Sequence, residues 1–261
     1  MSTPFASAAP YYARYRSPYP REIHTLLADR FALDGSQTVL DLGAGPGTLG
    51  LPLASLADHV YAVDPEPAML AEGTRLAEER GLTNISWLRG DAARVTRLCL
   101  PRIDLCVIGK AFHRMDRGRL LADLDDVLAP RGGLGVVVSL RRPGDRGPAW
   151  LAAVEEVRER FLGPGSPGQS DLDDWEDLGD LLAKSPFSRV ETHRCDLLVR
   201  RTVDEVIGLQ LSFPSSSPAV LGDRMAAFEA ELRRALLDHD PRGTYARTLR
   251  IGAAVATRPR R

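Results

Sequence analysis

Four groups of residues have the types and spacing to do chemistry. The first is Thr38–Gly50, TVLDLGAGPGTLG, an apolar run broken by Asp41 that ends in glycines at Gly43, Gly45, Gly47 and Gly50. Glycine has no Cβ, so such a turn can adopt positive φ and let a ligand approach the backbone. The second and third are the acids Asp64, ahead of Pro65, and Asp91, within Gly90-Asp91-Ala92, each at the end of a short apolar run. The fourth is His113, two residues after the pair Lys110-Ala111, an imidazole with an unperturbed pKa of ~6.5 that suits proton transfer near neutrality.

The glycines admit two parses. Gly45-Pro46-Gly47-Thr48-Leu49-Gly50 reads as G-x-G-x-x-G, with Asp64 about twenty residues on, as a dinucleotide fingerprint requires. Gly43-Ala44-Gly45-Pro46-Gly47 reads as the looser G-x-G-x-G of another nucleoside cofactor. Asp41 tilts the choice, because its carboxylate would repel a pyrophosphate and attract an ammonium or sulfonium. Gly90-Asp91-Ala92 adds an acid and adjacent backbone able to meet an amino-purine edge. Both favour a cationic adenosine cofactor over NAD. Each residue also has a plainer reading: Asp91 as a helix N-cap, Asp64 as a turn residue before proline, His113 as a side chain that shapes a pocket.

These residues need elements to hold them. Apolar runs at Thr38–Leu42, His59–Val63, Ile85–Leu88, Ile103–Ile108 and Leu134–Leu140 read as strands. Helical spacing between them places helices at Thr48–Ala57, at Pro67–Arg80, and from Leu120 to a stop at Pro130. The helix after the glycines is expected to aim its N-terminal amides at the ligand. Strands alternating with helices predict an α/β fold with a parallel, doubly wound sheet. After Leu140 the rhythm changes. Helices are expected at Trp150–Leu162, Leu178–Lys184, Val203–Leu211 and Met225–His239, and strands at Arg189–Val199 and Thr248–Thr257. Met1–Pro20, rich in Pro, Ala and Tyr, is expected to begin without order, and a helix follows over Arg21–Phe31. The expectation is one domain over 1–261, with a helical cap built from 1–33, 148–186 and 202–220. The flexible loop 163–169 and the acidic tract with Trp175 belong to that cap. Its aromatics Trp150, Phe161, Trp175 and Phe213 could bury an apolar acceptor, and Arg14, Arg16 and His24 could hold a carboxylate.

Composition narrows the partners. With 34 basic and 35 acidic residues the formal charge is −1, so nothing global attracts nucleic acid or an anionic membrane surface. Only Lys110 and Lys184 are lysines, and the arginines are interleaved with acids rather than gathered in a stripe. The three cysteines, Cys99, Cys106 and Cys195, share no metal-ligand spacing, and their odd number fits a reducing cytoplasm. No apolar run approaches the ~18 residues of a membrane span. The expectation is a cytoplasmic protein, monomer or homodimer, with no metal, nucleic-acid or membrane partner.

The set of motifs, in order, resembles the class I S-adenosylmethionine-dependent methyltransferases, in their small-molecule branch. The resemblance rests on Val39-Leu40-Asp41-Leu42-Gly43-Ala44-Gly45-Pro46-Gly47-Thr48, then Val63-Asp64-Pro65, then Gly90-Asp91-Ala92. It extends to Ala111-Phe112-His113-Arg114-Met115-Asp116, to Leu128-Ala129-Pro130-Arg131-Gly132-Gly133, and to Tyr15-Arg16-Ser17-Pro18-Tyr19-Pro20 ahead of the glycines. It implies that Gly43, Ala44, Gly45 and Gly47 lie under the methionine part and ribose, with Asp41 supporting that loop or meeting the amino end. It also implies that Asp64 binds the ribose hydroxyls, that Asp91 and Ala92 hold the adenine, and that Gly109, Lys110 and Ala111 line the cofactor. The fold implied is a doubly wound, Rossmann-like sheet of seven mostly parallel strands whose last, Thr248–Thr257, runs antiparallel. The function implied is methylation of a small molecule, O-methylation ahead of N or C, plausibly in secondary metabolism. His113 is the candidate base, although the family has no universal catalytic residue. An NAD-dependent oxidoreductase and a non-catalytic scaffold that keeps the cofactor cradle are the rival readings.

Overall fold

The computed structural model describes residues 3–140, 147–164 and 175–259. The loop residues 165–169 and the acidic tract 171–174, with the Trp175 side chain, lie outside the described residues. Two helices precede the first strand, α1 (Pro4–Tyr15) and α2 (Arg21–Phe31). The segment expected to start without order is helical from Pro4. Thr3 caps it by accepting the Ala6 N–H at 3.0 Å, and Pro4 sits in the first turn, where a missing N–H costs nothing.

The alternation then follows as β1 (Thr38–Leu42), α3 (Gly50–Ala54), β2 (His59–Asp64), α4 (Pro67–Glu79), β3 (Ile85–Arg89), β4 (Ile103–Gly109), α5 (Arg117–Val127) and β5 (Leu128–Leu140). The rest comprises α6 (Trp150–Leu162), α7 (Trp175–Ala183), β6 (Arg189–Thr202), α8 (Val203–Leu211), α9 (Pro218–Leu221), α10 (Met225–His239) and β7 (Thr244–Thr257). Two helices fall short of expectation. α3 has five residues, and α5 ends at Val127 because Leu128 is already extended, two residues before a proline that disfavours helix. Three strands are several residues longer than expected: β5 begins at Leu128, β7 begins at Thr244 and β6 ends at Thr202. β6 runs through Arg200 and Arg201, where Arg201 turns inward and donates to the Ser17 hydroxyl at 2.6 Å.

The seven strands are ordered β3-β2-β1-β4-β5-β7-β6. Pairs β1·β2, β1·β4, β2·β3 and β4·β5 are parallel, and β7 runs antiparallel to β5. The order reverses direction between β1 and β4, so the crevice for a ligand opens at their carboxyl ends. Among the described residues no helix is long and apolar enough to cross a membrane.

The chain divides into two compact units. The sheet unit holds Pro18–Leu140, Leu172–Cys195 and Arg250–Arg261. Its core joins Leu40, Leu42, Ile108, Phe112, Leu124 and Val136 with Leu178 and Leu182 of α7. Burying each such side chain is worth about 1.5–3 kcal/mol. α2 reaches β5 closely because β5 offers glycines: a Cβ on Gly135 would lie 2.5 Å from Leu27, and one on Gly133 2.8 Å from Phe31. The helical unit holds Met1–Ser17, Arg141–Asp171 and Asp196–Leu249. There Trp150, Val154, Phe228, Leu232 and Tyr245 form the core. The fully buried Arg158 donates to Gln210 Oε1 at 3.1 Å and to Ser216 Oγ at 2.8 Å, which pins the turn at 213–218. The segments expected as a cap thus fall in both units, α2 and α7 with the sheet and α1, α6 and α8 in the helical unit.

One charge is built into the middle of the sheet. Asp41 on β1 is 1% exposed, and its Oδ2 accepts the Gly50 N–H at 2.8 Å. Burial, with the nearby charge of Asp64 as a smaller cause, pushes its pKa up to about 7, against the pull of the Gly50 bond. An acid with a raised folded-state pKa holds its proton better in the folded chain. Its contribution is full below the unfolded pKa of ~3.9 and is lost as pH rises toward 7. Asp41→Asn keeps an oxygen for Gly50 and removes this titration. The variant should gain on wild type between pH 4 and pH 8 by on the order of 2–4 kcal/mol, read from urea unfolding at both pH values. A pH-independent difference would contradict the assignment. In the helical unit, a Cβ on Gly208 of α8 would lie 2.4 Å from Cε2 of Tyr15. Gly208→Ala should therefore cost about 1–3 kcal/mol of unfolding free energy, and Tyr15→Leu in the same chain should recover part of it.

Candidate functional site

The turn after β1 is defined by where its amides go. The N–H groups of Gly43 and Ala44 both donate to the Val63 carbonyl, at 2.8 and 3.0 Å. The Gly45 N–H donates to Asp64 Oδ2 at 2.8 Å, and the Gly47 N–H to the Ala44 carbonyl at 2.9 Å. The Gly50 N–H, the first of α3, goes to Asp41. The expected row of helix amides facing a ligand is therefore not formed as drawn from the sequence. Gly43, Gly45 and Gly47 all have positive φ, at 72°, 55° and 78°. At Gly45 a Cβ would meet nothing within 4 Å, so this stretch of backbone presents open surface. At Gly43 a Cβ would lie 2.7 Å from the Ala111 Cβ, which seats the turn against the segment after β4.

Asp64 ends β2 and is half-buried. Its Oδ1 accepts the Glu66 N–H at 2.9 Å, and its Oδ2 accepts the Gly45 N–H. An ionised carboxylate has about four lone-pair sites, so each oxygen keeps one for a further donor such as a vicinal diol. Burial raises its pKa, and its two amide bonds oppose that. The Gly90 N–H donates to the Asp64 carbonyl at 3.2 Å, which brings the end of β3 alongside. Asp91 is exposed and caps a 3₁₀ turn over Ala92–Arg97, its Oδ1 accepting the Ala93 N–H at 2.9 Å. The plainer reading of Asp91 as a cap thus describes one of its oxygens.

After β4, Gly109 lies under the hydroxyl of Tyr19: a Cβ there would be 2.4 Å from it. Lys110 follows in a left-handed conformation, φ 55°, with its N–H on the Val137 carbonyl at 2.8 Å and its Nζ 5.1 Å from the centre of the Tyr19 ring. A lysine at positive φ is uncommon and costs backbone energy, a feature that gathers at functional sites. His113 is half-buried in the 3₁₀ turn Phe112–Arg114, and its Nε2 accepts from Arg114 Nε at 3.4 Å. Burial first, then the charges of Arg114 and Arg117, hold its pKa below the usual value. All three causes favour the neutral imidazole. The charge of Arg114 is a small influence opposing the burial that raises the Asp64 pKa, which places this turn by the acid at the end of β2.

The structure thus brings Gly43, Ala44, Gly45, Gly47, Asp64, Asp91, Ala92, Gly109, Lys110 and His113 to the carboxyl edge of one sheet, with Asp41 beneath the turn. It also places there residues not singled out from the sequence: Trp87 behind Gly47, and Met115, whose Cε would be 3.1 Å from a Cβ on Gly43. A dinucleotide loop points its amides at a pyrophosphate. Here two of the amides that would serve it are held by carboxylates. A neutral ribose and a cationic group fit this turn, and a diphosphate does not.

Comparison with known proteins agrees. Residues 39–132 match the family model described as a methyltransferase domain. An uncharacterised methyltransferase of Mycobacterium tuberculosis is 32% identical over 221 residues, covering 84% of this chain and 81% of the relative. One from Schizosaccharomyces pombe is 25% identical over 228 residues, covering 87% and 82%. A Thiobacillus denitrificans S-adenosylmethionine-dependent methyltransferase, solved with S-adenosylhomocysteine, shares the fold with a TM-score of 0.58 at 16% identity, over 99% of this chain and 100% of that one. The turn, the strand order and the extent of the likeness agree: this chain belongs to the class I S-adenosylmethionine-dependent methyltransferases.

Proposed function

We propose that the protein methylates an oxygen of a small-molecule acceptor in the cytoplasm. The observation that carries this reading is His113, a neutral imidazole on the turn after β4, beside the segment that seats against Gly43. Methylation of a hydroxyl requires a proton to leave, and the half-buried His113 can take it at Nε2 once that nitrogen gives up the 3.4 Å bond it accepts from Arg114. The formal charge of −1 and the scattered arginines support a small acceptor rather than a nucleic acid.

S-adenosylmethionine, when bound, supplies an electrophilic methyl on a sulfonium, already poised for in-line displacement. The chain's task is to align the acceptor and exclude water. In this reading Gly43, Ala44, Gly45 and Gly47 floor the methionine part and ribose. Asp64 accepts from the ribose hydroxyls with the lone pairs left by Gly45 and Glu66. Asp91 and Ala92 would meet the adenine, and Gly109 and Lys110 would line the cofactor. His113 would take the proton that the acceptor oxygen gives up on methylation and pass it to solvent.

The acceptor class is tested by incubating the protein with methyl-labelled cofactor and, separately, phenols, carboxylic acids, amines and total RNA. Label on an oxygen of a small molecule is expected; label in RNA, or on nitrogen alone, would overturn the reading. With a working acceptor, His113→Gln should lower kcat about 10²–10⁴-fold with little change in the KM for cofactor. Because the pKa of His113 is lowered, the fall of wild-type kcat in acid should lie below pH 6.5, and the variant should lose it. Unchanged kcat with an unchanged acid limb would remove His113 from catalysis.

A further inference from the structure

Trp87 stands on β3 opposite Ala62 of β2, and one edge of its ring lies against two glycines of other elements. A Cβ on Gly47, in the cofactor turn, would lie 2.6 Å from Trp87 Cη2. A Cβ on Gly73, on the buried face of α4, would lie 2.3 Å from both Cη2 and Cζ3 and 3.0 Å from Cε3. Ordinary Cβ contacts are never this close, so both positions must stay glycine while the indole is there. The amide bonds described above tie the first half of the turn to β2, through Val63 and Asp64. Gly47 belongs to the second half, and the indole is what it rests on.

We propose that Trp87 is a positioning residue for cofactor binding, its ring edge clamped between Gly47 and Gly73 so that it sets the height of the glycine turn. This rests on reading that turn as the S-adenosylmethionine cradle. The same clamp fixes α4, whose capping residue Glu66 donates its N–H to Asp64 Oδ1. One aromatic edge therefore registers two cofactor contacts against each other, the turn and the acid at the end of β2. It does so through packing alone. Since the next neighbour of a Cβ on Gly47 is Leu51 Cγ, at 3.0 Å, the turn has apolar support on that side as well.

The test uses the full chain and S-adenosylhomocysteine as the probe, with affinity by calorimetry and Tm read separately. Wild-type binding comes first: if it is absent, the cofactor reading itself fails, and the proposal with it. Trp87→Phe withdraws the ring edge, and Gly73→Ala pushes it toward Gly47. Each should weaken the probe roughly tenfold. In the double variant the alanine methyl occupies the space the indole left, and affinity should return to within about threefold of wild type. In a Trp150→Phe, Trp175→Phe background, leaving Trp87 as the one indole, emission should change saturably with the probe. Single variants that lower Tm but leave affinity within about twofold, losses that simply add in the double variant, or emission blind to the probe would each overturn the proposal.

Discussion

The structure depends on where the amides of one turn are spent. A turn after a central parallel strand can offer its N–H groups to a bound phosphate or keep them for the protein. Here Gly43 and Ala44 give theirs to Val63, Gly45 to Asp64, Gly47 to Ala44 and Gly50 to Asp41. The turn is thereby rigid before any ligand arrives, and what it presents is open backbone at Gly45 flanked by acids. That arrangement suits a cofactor with a hydroxylated sugar and a positive centre. The surrounding sheet follows from the same demand, since Val63 and Asp64 can reach the turn only if β2 lies parallel and adjacent to β1.

Holding the turn this way has a cost in charge and a demand in shape. Asp41 is kept in the sheet almost without exposure, and its pKa rises to about 7 as a result. A hydrophobic residue there would pack better but would leave the Gly50 amide without its acceptor, an unpaired buried donor worth about 1–3 kcal/mol. The shape demand appears as paired glycines and bulky partners. Ala111 fits against Gly43, Tyr19 over Gly109, and Trp87 between Gly47 and Gly73. In each pair the absent Cβ is occupied by a neighbour, so the loop glycines serve packing as well as conformation. Gly45 differs, with open space where its Cβ would be.

Much of this was legible in the sequence. The five parallel strands announced themselves as short apolar runs with glycine or acid at their ends, and Asp64 and Asp91 stood at those ends. The antiparallel last strand was expected from the family resemblance. What escaped lay where local signals mislead. The Pro- and Ala-rich start reads as unstructured, yet Thr3-Pro4 is a cap followed by a residue suited to a first turn, and Ala8 and Ala9 are buried. α5 looked longer because Leu128 continues the helical spacing, although Pro130 two residues on already argues for an end. Arg200 and Arg201 hid the end of β6, since charged residues weaken an alternating pattern. Trp87 could not be singled out, because its meaning lies in contacts with Gly47 and Gly73, far away in sequence. Two glycines facing one large aromatic is a signal visible only in three dimensions.

The measurement that tests the central claim most directly is calorimetric titration of wild type and Asp64→Ala with S-adenosylhomocysteine and with NAD. Removing the Asp64 carboxylate takes away the Gly45 and Glu66 acceptors together with the lone pairs assigned to ribose, each charged hydrogen bond being worth about 1.5–3 kcal/mol. The account predicts micromolar binding of S-adenosylhomocysteine by wild type, a loss of at least about a hundredfold in the variant, and no binding of NAD by either. Binding of NAD by wild type, or equal affinity of both proteins for S-adenosylhomocysteine, would contradict it.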